Sequence, residues 1–186
     1  MKKTILTILV CIVIALGLTA CGKSNLEEAK KDLENSQEKY GYVEKETVDV
    51  LVAKFNTEVA DNSTLNKASI DYLTESNNQY WYGLIEGISL VVVPEKYTND
   101  KTTEIVNYML LQVDKNSKYE KDANTYIKYL IKANNNQITD SEIDTLIQDA
   151  KTKNNSGKIS NNGKGISIGY TENDEKYQYQ VLRLYK

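Results

Sequence analysis

Apolar and polar positions along the chain change their spacing several times, and each change marks an element. An unbroken apolar run, Ile5 to Ala20, follows Lys2 and Lys3. It is shorter than the ~20 apolar residues that a stable membrane-spanning helix needs. Residues 21–45 are polar and charged, with apolar positions (Leu26, Ala29, Leu33) too few to be expected to dock firmly. Ser24 and Glu27 have the spacing of a capping box, so a short charged helix is expected to run to about Lys39 and to stop before Gly41. From there Val48, Leu51, Val52, Phe55 and Val59 recur at helical spacing and predict a helix with one buried face, ended by Asp61-Asn62-Ser63.

The period then falls to two. Ser69–Glu75, Gln79–Glu86, Ser89–Glu95 and Glu104–Val113 are rich in Ile, Val, Tyr and Leu and predict four strands. Asn77-Asn78 suits a tight hairpin, because Asn tolerates the left-handed conformation. Pro94, the only proline, should close its strand, and Tyr97-Thr98-Asn99-Asp100 reads as the following turn. Ala123, Tyr126, Ile127, Leu130 and Ile131 then form a helical stripe that Asn134-Asn135-Asn136 ends. Thr139-Asp140-Ser141-Glu142 opens the next helix as a capping box, with Ile138 and Ile143 placed to form a hydrophobic staple; Ile143, Leu146, Ile147 and Ala150 face inward. After a polar loop (151–164), Ile166, Ile168 and Tyr170 alternate as a strand. Glu172–Glu175 turns the chain, and Lys176–Tyr185 returns as the last strand. The order α-ββββ-αα-ββ predicts an α+β fold: an antiparallel sheet of about six strands with helices on one face, occupying residues 46–186 as a single domain.

The first segment has the design of a secretory signal, with basic residues, an apolar core and small residues at its end. That end, Leu18-Thr19-Ala20-Cys21, resembles the lipobox of bacterial lipoproteins. The resemblance implies that residues 1–20 are removed and that Cys21 receives a diacylglyceryl thioether and becomes the new N-terminus. Residues 21–45 would then be a lipidated tether, and the chain would be exported and held at the outer face of a cell membrane. Two acyl chains make such an attachment durable, since each buried methylene contributes ~0.8 kcal/mol. The tether reads as a spacer, with a coiled-coil contact as the rival.

Composition narrows the chemistry further. Removing the leader leaves Cys21 as the sole cysteine, its sulfur blocked by lipid, which excludes an intramolecular disulfide and thiol catalysis. The chain has no His, so His-based acid/base chemistry and His metal ligation are excluded; no cofactor is expected. Its net charge of −3 argues against nucleic acid as a partner. The Lys-, Asn-, Ile- and Tyr-rich composition, with Arg183 the only Arg, fits an AT-rich, Gram-positive source. Asn162-Gly163-Lys164-Gly165 lacks the spacing of a phosphate loop. The acidic segments Asp140–Asp144 and Glu172–Glu175 lack that of a calcium loop.

Tyr stands out, with 14 in the chain against one Phe and one Trp. In the second strand Tyr80 and Tyr82 share a face while Trp81 points opposite. The expectation is that Trp81 packs under the helices, leaving Tyr80, Tyr82, Tyr177 and Tyr179 on the other face as a candidate binding face. Tyr joins a large apolar area to a polar tip and suits protein or sugar partners; it also simply fills sheet faces. Glu75, Glu86, Glu95 and Glu104 stand at strand ends, where two acids could flank a glycosidic bond. The favoured reading is a non-enzymatic surface lipoprotein binding an extracytoplasmic protein or glycan. The alternatives are a carboxylate-dependent cell-wall glycan hydrolase and an accessory subunit of a membrane complex.

Overall fold

A computed structural model describes residues 42–60, 62–68, 74–76, 78–153, 160–161 and 164–185. The leader, Cys21, the capped helix expected up to Lys39, much of the strand expected from Ser69 and most of the loop 151–164 lie outside these residues. Helix α1 (Val48–Ala60) buries Val48, Leu51, Val52, Phe55 and Val59, the stripe its spacing predicts. Strands β1 (Thr74–Ser76), β2 (Gln79–Ile85), β3 (Ile88–Pro94) and β4 (Val106–Asp114) follow. Helices α2 (Ala123–Asn134) and α3 (Asp140–Thr152) come next, then β5 (Ser160–Asn161), β6 (Ile166–Glu172) and β7 (Lys176–Arg183). Among the described residues, no helix is long and apolar enough to cross a membrane.

The fold is α+β, with one antiparallel sheet in the order β1-β2-β3-β4-β7-β6-β5. Five strands are seven to nine residues long, and the edges carry short segments of three (β1) and two (β5) residues. The expectation of about six strands is thus corrected to five full strands and two short edge segments. The extra one, β5, sits in a stretch too polar to read as a strand. Placing β7 next to β4 puts the two longest strands side by side in the middle of the sheet.

Local punctuation follows the sequence closely. Thr139 and Glu142 form the reciprocal capping box at α3: the Glu142 amide donates to Thr139 Oγ1 (3.3 Å) and the Thr139 amide to Glu142 Oε2 (2.7 Å). Ile138 and Ile143 are both buried, as a hydrophobic staple requires. Asn78 and Asn99 take positive φ (62° and 63°) in the turns expected to contain them. Asn56 replaces a strand partner for the loop after α1, accepting from the Ala68 amide (2.8 Å) and donating to its carbonyl (3.2 Å).

Register sorts the sheet into two faces. One cross-strand row runs Tyr80, Val92, Met109, Val181, Ile168; the next runs Tyr82, Leu90, Leu111, Tyr179, Tyr170. Both rows join the buried cluster that contains every buried apolar residue of the three helices, so all three helices cover this face. Trp81 belongs to the opposite row with Val91, Leu110, Gln180 and Gly169. The expected facing of β2 is therefore reversed: Tyr80 and Tyr82 lie under the helices and Trp81 does not. Tyr80, Tyr82 and Leu84 make an unbroken apolar set on one parity, whereas Gly83 leaves a gap between Trp81 and Ile85 on the other.

Candidate functional site

The four tyrosines of the expected binding face do share a face, but it is the covered one. Tyr80, Tyr82 and Tyr179 are 0%, 2% and 1% exposed, and Tyr177 packs against the same core half-buried. They form two groups. Tyr170, Tyr177 and Tyr179 pack together in tilted and edge-on contacts (centroids 5.0–5.9 Å apart), with the Lys151 ammonium 5.8 Å from the Tyr179 ring. Tyr80 packs on Tyr97 at 5.3 Å, and Lys101 Nζ covers both the Tyr80 and Tyr82 rings. With β3 and β4 between them, the groups are about 14 Å apart. Burial, aided by Asp49 beside Tyr82 and Glu120 beside Tyr177, pushes both phenols up to about 12. These rings fill the core and present no platform to a partner.

The strand-end carboxylates are likewise dispersed. Glu86 pairs with Lys118 (3.2 Å) and Glu95 with Lys45 (3.6 Å), both near solvent. Glu104 is buried and organises the β3–β4 turn, accepting from the Thr98 amide and hydroxyl and from the Asp100 amide. Burial raises its pKa, but hydrogen bonds from Tyr80, Thr98 and Asp100 together carry it below the ordinary value. Of Glu75 only the backbone is described, in β1. Among the described residues, no three His, Cys, Asp or Glu side chains gather as a metal would require.

A different set of residues converges where the chain enters the domain. Val43 donates to the Leu184 carbonyl (2.9 Å) and runs parallel to Tyr185, placing Tyr42 to Glu46 beside the end of β7. Gly165 makes this approach possible: its φ is +80°, and a Cβ there would lie 2.5 Å from the Tyr42 carbonyl carbon. Between this segment, α1 and the α2–α3 turn lies a cavity of about 410 Å³.

Arg183 forms its floor, with a fully buried side chain. Its Nη1 donates to Asn134 Oδ1 (2.7 Å), Nη2 to Glu46 Oε2 and the Glu44 carbonyl (both 2.8 Å), and Nε to the Tyr185 hydroxyl (3.1 Å). Asn134 is held in turn by donating to the Leu130 carbonyl (2.7 Å), and Glu46 also takes a hydrogen bond from Lys54. A buried guanidinium satisfied on three sides is a rigid scaffold, since its planar fork fixes each partner's direction. At the rim, Asn135 is pinned to the Lys164 carbonyl (2.7 Å), while Asn136 and Gln137 are exposed. Lys164 ties the turn to α3, reaching both the Gln137 carbonyl and Glu142 (2.8 Å each). Those bonds and the cap pull Glu142 down to about 2.

Three acids (Glu44, Glu46, Glu58) and three bases (Lys54, Lys132, Arg183) line the cavity, so its charges balance. The remaining polar lining is Thr57 and the amides of residues 134–137. Tyr42, 44% exposed, supplies an aromatic surface. Amides act as donor and acceptor at once, so the cavity suits a neutral, hydroxyl-rich ligand better than an ion. The sequence carried one signal for it: the chain's only Arg stands in the last strand between Leu182 and Leu184. Its partners lie 49 and 137 residues away, beyond any spacing argument.

No protein-family model, no curated protein and no solved structure matches this chain.

Proposed function

We propose that this chain is an exported lipoprotein, held by a diacylglyceryl group on Cys21 at the outer face of a cell membrane, whose domain is a non-enzymatic binding module. The binding face moves from the buried tyrosines to the cavity over Arg183, and the ligand class narrows to a neutral glycan segment. One observation carries this reading: a charge-balanced, amide-lined cavity with an exposed tyrosine, built on a rigid buried arginine. Its volume falls within the ~300–1,000 Å³ usual for small-ligand sites. Exposed Asn136 and Gln137 would hydrogen-bond hydroxyls while a sugar ring lies against Tyr42.

Calorimetric titration of the mature chain with neutral envelope oligosaccharides tests the reading. Binding should weaken about tenfold in Tyr42→Ala, a loss of ~1.4 kcal/mol, with the fold intact by circular dichroism. Binding that is indifferent to Tyr42, Asn136 and Gln137 would remove the cavity from the proposal. Metabolic labelling with a lipid precursor tests the anchor separately, since Cys21→Ala should abolish the label and release the protein from membranes.

A further inference from the structure

The second face of the sheet carries a buried apolar surface that none of the three helices touches. Val91, Val93, Tyr108, Leu110, Leu182 and Leu184 are all under 9% exposed, yet none belongs to the cluster that holds the helices. At the centre of this face Gln180 is fully buried with neither amide atom hydrogen-bonded, and the Trp81 indole N–H is also buried and unpartnered. On β6 the same face presents only Ser167, Gly169 and Thr171, small residues beside the larger Leu110 and Leu182. Such a surface needs a cover that is apolar along one stripe and polar where it meets Gln180.

We propose that the cover is residues 22–41 of the same chain, docked as an amphipathic helix. Two observations select it. The described chain begins at Tyr42, next to Val43, whose amide is bonded to the Leu184 carbonyl past the end of β7, so the preceding residues start at the edge of the sheet, within reach of this face. A helix from Ser24 to Lys39 is about 24 Å long, and the eight residues of β7 span about 26 Å, so it matches the length of the strand it would lie along. Leu26, Ala29 and Leu33 fall on one helical stripe, with Ser36 on it as a hydroxyl able to meet Gln180. The segment is then a third layer of the domain and no free spacer. Where Cys21 is lipidated, a consequence that rests on the anchor reading, the docked helix sets the domain close to the bilayer in a fixed orientation.

Trp81, the only Trp in the chain, lies on this face and reports on its cover. The mature chain, with Cys21→Ser to keep it free of lipid, is compared with Leu26→Asp/Leu33→Asp and with Lys31→Asp/Asn35→Asp on the opposite helical side. The leucine variant should shift Trp81 emission to the red and raise its quenching by acrylamide; the control should do neither. A nitroxide on Glu34→Cys, which leaves the stripe intact, should quench Trp81 independently of protein concentration. Unchanged emission in the leucine variant together with no nitroxide quenching would overturn the proposal. So would shielding of Trp81 that grows with concentration alongside a dimer by light scattering, since a second copy would then be the cover.

Discussion

Replacing Arg183 with Met keeps the bulk but leaves Asn134 Oδ1 and the Glu44 carbonyl without their donor and Glu46 with Lys54 alone. Breaking a buried, paired charge from one side costs about 3 kcal/mol or more, so Tm should fall by roughly 10 °C in calorimetry, and the cavity should lose its floor. Gly165→Ala acts on the opposite wall. It forces a Cβ into left-handed backbone and into the Tyr42 main chain, and should destabilise by about 2 kcal/mol, with Tyr42 fluorescence and amide shifts changing first. Neither residue could be assigned this role from sequence. A lone arginine between leucines marks something unusual, but its direction depends on strand parity and its partners on the tertiary fold.

Helix α3 is the element whose local rules and tertiary contacts agree best, and its start was legible residue by residue. Thr139→Ala should cost about 1 kcal/mol through the lost cap, seen as a lower midpoint in urea. Glu142 extends this to pH. Its folded pKa, near 2 against an ordinary 4.5, means that its stabilisation is complete above pH 4.5 and is lost as pH falls towards 2. Glu142→Gln should therefore flatten the fall in stability between pH 5 and 2, measured by denaturant titration. The sheet was less legible because it is buried on both sides. In β4 the first six residues are all buried, and in β3 all but Ser89. Alternation then carries little contrast to say which parity faces the helices. In β2 burial does alternate, but aromatic residues stand on both parities, Tyr80 and Tyr82 on one and Trp81 on the other, so the sequence did not say which parity meets the helices; apolar stripes sufficed for α1 and α2.

At the scale of the whole molecule, tyrosines take the place that Phe holds in many cores, and this makes stability sensitive to alkali. Tyr82, Tyr177 and Tyr185 are pushed up to about 12, chiefly by burial, from an ordinary value of 10. Folding favours their neutral forms, so their contribution is whole below pH 10 and disappears as pH rises towards 12. Ultraviolet titration should show these phenols ionising late and together with loss of near-ultraviolet dichroism. The domain that results has helices over one sheet face, an apolar second face, and a neutral polar cavity where the chain comes in. The most direct test of the binding account is to map amide chemical shifts of the mature chain as a neutral envelope oligosaccharide is added. The account expects saturable shifts at Tyr42, Asn136 and Gln137, with the Tyr170–Tyr177–Tyr179 cluster silent; shifts confined to other surfaces, or none at millimolar ligand, about the weakest binding worth assigning, would contradict it.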